Sequence, residues 1–145
     1  MTAPPRPISP NPSDIDRSSL PLSPHLQIWK FTVTMAASIT HRATGVALYS
    51  GTFLLALWAF AVAQGKDFFA PIGGLLTSPI GSIIIFGYIW AMSFHLLSGL
   101  RFLYTDTGRG LAPATSKRIA WAVYAGSLVL AGLIAFTAHS ARNGV

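Results

Sequence analysis

The sequence predicts an all-α membrane protein in which three transmembrane helices form part of a heteromeric helix bundle, preceded by an extended N-terminal arm. Hydrophobic residues make up 52% of the 145 residues and charged residues only 10%, a balance too apolar for a soluble domain of this size. Three stretches, residues 43–65, 68–100 and 119–141, contain no Asp, Glu, Lys or Arg. At about 1.5 Å per residue, each is long enough to cross a hydrocarbon core of about 30 Å.

The N-terminal arm is predicted for residues 1–24. This segment holds seven of the ten prolines, and because proline lacks an amide hydrogen, neither a helix nor a strand can run through it. No apolar core or small-residue cleavage site follows the first basic residues, so we expect the arm to stay on the mature protein. Residues 25–145 form the predicted transmembrane anchor domain.

The bounds of the three helices follow from the uncharged stretches. We expect the first helix over about residues 42–65 and the third over about residues 118–140. The second stretch opens with prolines and glycines, so its helix is expected only over about residues 79–104. A separate short helix at the membrane interface is expected over residues 31–39.

The basic residues lie at the ends of the apolar stretches and predict the orientation. One side of the membrane receives Arg6, Arg17, Lys30, Arg42, Arg101, Arg109, Lys117 and Arg118. The other side receives Lys66 and Arg142. The positive-inside rule therefore places the N-terminus in the cytoplasm, or in the matrix of a mitochondrion. We expect the apolar helices to contact membrane lipid. The basic residues do not form the polar stripe of a nucleic-acid-binding protein.

The composition excludes several kinds of chemistry. Only four residues are acidic, which leaves little from which to build a hydrolase site of paired carboxylates. Cysteine is absent, so this chain provides neither thiolate zinc ligands nor the ligands of an iron–sulfur cluster. Any such cluster belongs to a partner.

His95 is the first candidate for chemistry because it lies deep in the second predicted helix, where an ionisable group needs an inward partner. A neutral imidazole is a suitable axial ligand for heme iron, and Ser98 and Gly99 share its helix face and leave room for a flat macrocycle. A hydrogen bond to another helix explains His95 equally well. His41 precedes the first predicted helix and His139 ends the third, so a bis-histidine heme requires another subunit.

The second candidate is a polar cluster at the cytoplasmic boundary. Ser38, His41 and Arg42 fall at i, i+3 and i+4, which places them on one face if this stretch is helical. A quinone carbonyl needs a hydroxyl or guanidinium donor beside an apolar path, and heme propionates need cations, so the cluster suits either ligand. Alternatively, Arg42 only anchors the helix at the interface.

Three stretches of this sequence resemble a known family. They are residues 23–29 (SPHLQIW), residues 38–45 (SITHRATG), and the pattern from His95 through Gly99 to Arg101, followed by Asp106 and Gly108. In order and spacing they are similar to the signature stretches of the succinate dehydrogenase cytochrome b subunits. The resemblance covers roughly residues 20–140.

The resemblance implies a four-subunit enzyme and specific residue roles. A flavoprotein subunit would oxidise succinate, an iron–sulfur subunit would relay electrons, and this chain with a second small membrane anchor would share one heme b and bind quinone. His95 matches the axial ligand of the heme iron and His41 the histidine near the heme propionates. Ser38, Ile39 and Arg42 match the quinone-binding residues.

Two positions depart from the family pattern. Phe31 stands where many relatives have a tryptophan, and Phe102 stands where some have a histidine. A hydrogen bond made at either position in those relatives is therefore missing here.

Two other functions compete with this interpretation. A heme-free structural anchor would use His95 only for packing, and a small transporter subunit would carry ionisable residues deep in several helices, whereas here only His95 is deep. The sequence does not fix the direction of the reaction, as succinate oxidation or fumarate reduction, or the type of quinone. The missing presequence favours a bacterial inner membrane over a mitochondrial one.

Overall fold

The computed structural model describes residues 29–144, and four helices account for most of them. The helices are α1 (Val33–Ala63), α2 (Lys66–Thr77), α3 (Pro79–Asp106) and α4 (Pro113–Asn143). Three of these helices, α1, α3 and α4, are long and apolar enough to cross a membrane, which confirms the predicted fold class. The proline-rich arm predicted for residues 1–24 lies outside the described residues.

Helix α1 begins well before the expected residue 42. Thr32 caps it by accepting a hydrogen bond from the amide of Met35 at 3.4 Å, and neither proline nor glycine interrupts the next three turns. The separate helix expected over residues 31–39 is wrong, because these residues form the first turns of α1. Polar side chains at the membrane boundary mark a change of environment and do not end a helix.

Helix α2 was not predicted. Gly65, with φ of 100°, ends the turn after α1, and its positive φ is a conformation that glycine adopts without strain. Pro71 lies inside α2, where its missing amide leaves one intrahelical bond unmade but does not break this short helix. No side chain of α2 is buried, so little packing holds it in place.

Helix α3 is the central element. Ser78 caps it by accepting a hydrogen bond from the amide of Gly81 at 3.1 Å, and Pro79 occupies the first turn. The helix packs against both α1 and α4. Its Phe94 is fully buried, and the ring lies 5.7 Å from that of Trp90 and 4.8 Å from that of Tyr124.

Two side-chain hydrogen bonds join the helices around Phe94. The hydroxyls of Thr40 and Tyr124 are 2.8 Å apart and link α1 to α4. The indole of Trp90 donates to the hydroxyl of Ser127 at 3.1 Å and links α3 to α4. Because hydrocarbon offers no water to polar groups, such bonds hold spanning helices in a fixed register.

The corner between α2 and α3 gives a test of the fold. A methyl group added to the buried Gly81 would meet the backbone carbonyls of Leu75 and Leu76, which cannot move aside as a side chain can. We expect Gly81→Ala to lower the free energy of unfolding by about 1–3 kcal/mol, measured by denaturant titration in mixed micelles. Gly87→Ala is the matched control, because a methyl group there meets nothing within 4 Å. A Gly81→Ala protein as stable as the Gly87→Ala protein would contradict this account of the corner.

Candidate functional site

One face of α1 carries the polar residues singled out in the sequence. Ser38, His41 and Arg42 lie within the helix, so their i, i+3 and i+4 spacing brings them to one face. Ser38 and His41 are half-buried, whereas Arg42 is exposed. Ile39, with 56% of its surface exposed, lies beside them. The face is therefore open to a molecule from outside the chain.

The structure brings His41 and His95 together, which the sequence did not predict. Their rings are stacked with centroids 4.0 Å apart and planes inclined by 12°. The expectation that His41 precedes the first helix is wrong, because α1 begins at Val33 and includes His41. His41 thus connects the polar cluster of α1 to His95 of α3.

The Nδ1 atom of His95 is held by α1. It lies 3.2 Å from the backbone carbonyl oxygen of His41 and 3.3 Å from the hydroxyl of Thr44. A carbonyl oxygen only accepts, so Nδ1 carries the hydrogen and donates it. In the neutral ring the lone pair is then on Nε2. This arrangement orients the imidazole and prepares Nε2 to accept a proton or bind a metal ion.

Thr44 and Gly45 of α1 also lie next to the imidazole of His95. Thr44 is 4% exposed, and its hydroxyl donates to the carbonyl oxygen of His41 at 2.9 Å. A methyl group on Gly45 would lie 3.1 Å from Cε1 of His95, closer than an ordinary van der Waals contact. The sequence analysis gave neither residue a role. Their position at the start of the uncharged run was visible in the sequence, but the residue of α3 that faces them was not.

Several buried polar atoms near the histidines have no hydrogen-bond partner within residues 29–144. They are Nδ1 of His41, Oγ of Ser98, and Nε and Nη1 of Arg101. Burying such groups unpaired is unfavourable, so these positions are the places where a ligand or a partner chain is expected to contribute. Ser98 lies one turn beyond His95 on the same helix face.

Phe102 separates Arg101 from the histidines. Its ring meets the ring of His41 edge-on at 5.1 Å, and Cζ of Arg101 lies 5.8 Å from its centroid. The remaining guanidinium nitrogen of Arg101, Nη2, donates to the hydroxyl of Ser116 at 3.3 Å. Arg101 therefore faces α4, while His95 faces α1.

Comparison with known proteins gives a consistent result. The family model of the succinate dehydrogenase/fumarate reductase transmembrane subunit matches residues 16–134. The succinate dehydrogenase cytochrome b556 subunit of Paracoccus denitrificans is 40% identical over 121 residues, which cover 83% of this chain and 93% of the relative. That of Rickettsia felis is 31% identical over 114 residues, 79% of this chain and 89% of the relative. The mitochondrial cytochrome b560 subunit of Sus scrofa is 35% identical over 98 residues, 65% of this chain and 57% of the relative.

Proposed function

Because the chain belongs to this transmembrane subunit family, as a cytochrome b membrane anchor of succinate dehydrogenase, we propose that it ligates heme b and lines a quinone site. It is a multi-pass membrane protein that works with other subunits of the complex. We assign succinate oxidation to a flavoprotein subunit and electron relay to an iron–sulfur subunit. A second small membrane anchor completes the site in the membrane.

The observation that carries the heme proposal is the hydrogen bond from Nδ1 of His95 to the backbone carbonyl of His41, 3.2 Å long. Metal-binding histidines generally donate their other ring nitrogen to a carbonyl or carboxylate, which fixes both the tautomer and the ring direction. His95 already has this arrangement, with the lone pair on Nε2. The same hydrogen bond would also hold a histidine that only joins α1 to α3, so a heme spectrum is needed to decide between the two roles.

The surroundings of His95 also fit a heme. Gly99 lies one turn further along α3, and a side-chain atom added there meets nothing within 4 Å, so a flat group has room to approach. The unpartnered Nδ1 of His41 and Oγ of Ser98 are placed to meet polar groups of a ligand. Relatives of this chain are named cytochrome b556 and b560. Bound heme would supply one-electron storage close to the quinone path.

The second axial ligand is assigned to the partner anchor. Two histidines that held one heme iron would each have to direct a ring nitrogen at it from a different side. The rings of His41 and His95 are instead stacked face to face, with centroids 4.0 Å apart and nearly parallel planes. A metal ion therefore does not fit between a nitrogen of one ring and a nitrogen of the other. His41 is better placed to contact a heme propionate, and the heme is shared between two subunits.

The quinone site is assigned to the exposed face of α1. The hydroxyl of Ser38 and the guanidinium of Arg42 are donors for a quinone carbonyl, and Ile39 provides apolar contact for the ring. These residues belong to the first three turns of α1, where a lipid-soluble ring meets water and protons. Arg42 would orient and polarise the carbonyl, while the protons arrive from the aqueous side.

The proposed orientation places this end of α1 in the bacterial cytoplasm. Arg42, Arg101 and the start of α4 with Lys117 and Arg118 then lie on the same side, as the positive-inside rule requires. The iron–sulfur subunit would dock on that side, next to the quinone site. Electrons would therefore cross only the short distance between the docked subunit and α1.

Replacement of His95 tests the heme proposal. We expect His95→Leu to abolish or strongly reduce the b-type signal in the dithionite-reduced minus oxidised spectrum of the purified complex, because iron loses one of its two axial ligands. His139→Leu, a histidine near the far end of α4, is the matched control and should keep the signal. An unchanged spectrum in assembled His95→Leu complex would favour the heme-free anchor or place the ligand elsewhere.

Replacement of Arg42 tests the quinone proposal. Loss of a charge-assisted hydrogen bond should lower succinate–quinone reductase activity about tenfold or more, while succinate oxidation with a soluble artificial acceptor stays unchanged. Arg109→Ala removes an exposed charge from the loop between α3 and α4 and should leave both activities unchanged. Equal quinone turnover in the Arg42→Ala and wild-type complexes would remove Arg42 from the site.

A further inference from the structure

We propose that Thr44 is a positioning residue that tunes the reduction potential of the heme through His95. The inference rests on the proposed function, because it takes His95 as the axial ligand. It goes further by assigning a role to a residue of α1 that contacts neither iron nor quinone. The inference is based on the position of the Thr44 hydroxyl between the carbonyl oxygen of His41, which accepts a hydrogen bond, and the Nδ1–H group of His95, which donates one.

Thr44 is buried inside an apolar helix, with 4% of its surface exposed. A hydroxyl has one hydrogen and two lone pairs. The hydrogen goes to the carbonyl oxygen of His41 at 2.9 Å, so the side chain offers a lone pair to Nδ1 of His95 at 3.3 Å. The Nδ1–H group of His95 is therefore shared between two acceptors, the hydroxyl of Thr44 and the carbonyl of His41.

The contact with His95 distinguishes Thr44 from other threonines of the chain. Donation to the carbonyl three residues back is common for threonine in helices, and Thr105, Thr107 and Thr137 also do this. Thr44 adds an acceptor contact across to another helix, over a sequence separation of 51 residues. The neighbouring Gly45 lets the imidazole approach α1 closely enough for this contact.

The expected effect on the iron has a definite sign. Acceptors on Nδ1–H increase the basicity of the opposite nitrogen, and a more basic ligand stabilises ferric over ferrous iron. Removing one acceptor therefore raises the reduction potential. The heme should stay bound, because the carbonyl of His41 still fixes the tautomer and Nε2 remains available.

The test is a redox titration of the b-type signal in the purified four-subunit complex. Thr44→Val keeps the shape of the side chain and removes the hydroxyl. We expect its midpoint potential to be higher than that of the wild type, with the ferrous-to-ferric ratio at a fixed applied potential raised about fivefold, the effect of one ordinary hydrogen bond. The electron paramagnetic resonance signal of the ferric heme should shift as well.

Two further variants distinguish the effect of the Thr44 hydroxyl on the potential from the effect of side-chain size and from a general effect of changing α1. Thr44→Ser retains the hydroxyl and should restore the wild-type potential. Thr52→Val removes an exposed hydroxyl of α1 two turns later, which donates to the carbonyl of Leu48, and should leave the potential unchanged. If Thr44→Val loses the heme, retention of heme at wild-type potential in Thr44→Ser still supports the role of the hydroxyl.

Three results would overturn the inference. They are an unshifted potential in heme-loaded Thr44→Val, a failure of Thr44→Ser to restore the wild-type potential, and an equal shift in Thr52→Val. None of them removes His95 as the ligand, which is tested separately by His95→Leu. The failure of this inference and the failure of the proposed function therefore give different results.

Discussion

The hydrogen bond between Nδ1 of His95 and the backbone carbonyl of His41 is the interaction on which the site depends. It joins α1 to α3 and fixes the direction of the half-buried imidazole. The stacking of His41, the contact of Thr44 and the close approach at Gly45 all follow from this one link. A sliding of α1 along α3 by one turn would disrupt all of them together.

The sequence was sufficient for the spans and insufficient for their contacts. Uncharged length alone identifies α1, α3 and α4, because the hydrocarbon core requires about 20 apolar residues in succession. The start of α1 was misplaced because it was taken from the uncharged run that follows Arg42, although a charged side chain does not end a helix. Helix α2 was missed because Pro71, Gly73 and Gly74 were taken to prevent a helix before Pro79.

The pairing of His41 with His95 could not be predicted from the sequence. The pattern within one helix gives neighbours at i+3 and i+4, but it does not say which turn of α1 lies opposite which turn of α3. That register is set by packing around Phe94 and by the bonds of Thr40 with Tyr124 and of Trp90 with Ser127. The family resemblance assigned roles to both histidines but did not state their mutual geometry, nor did it assign a role to Thr44.

The link between α1 and α3 also bears on the biogenesis of the complex, because both helices belong to one chain. The direction of the His95 imidazole is set when this chain folds. The entropy cost of ordering this side chain therefore arises during folding and does not weaken the later association of subunits. Whichever of the cofactor and the second anchor subunit arrives first would meet a ligand already held in place. Under the proposed function, the chain would act as a template for assembly, and this half of the site would impose no particular order of arrival.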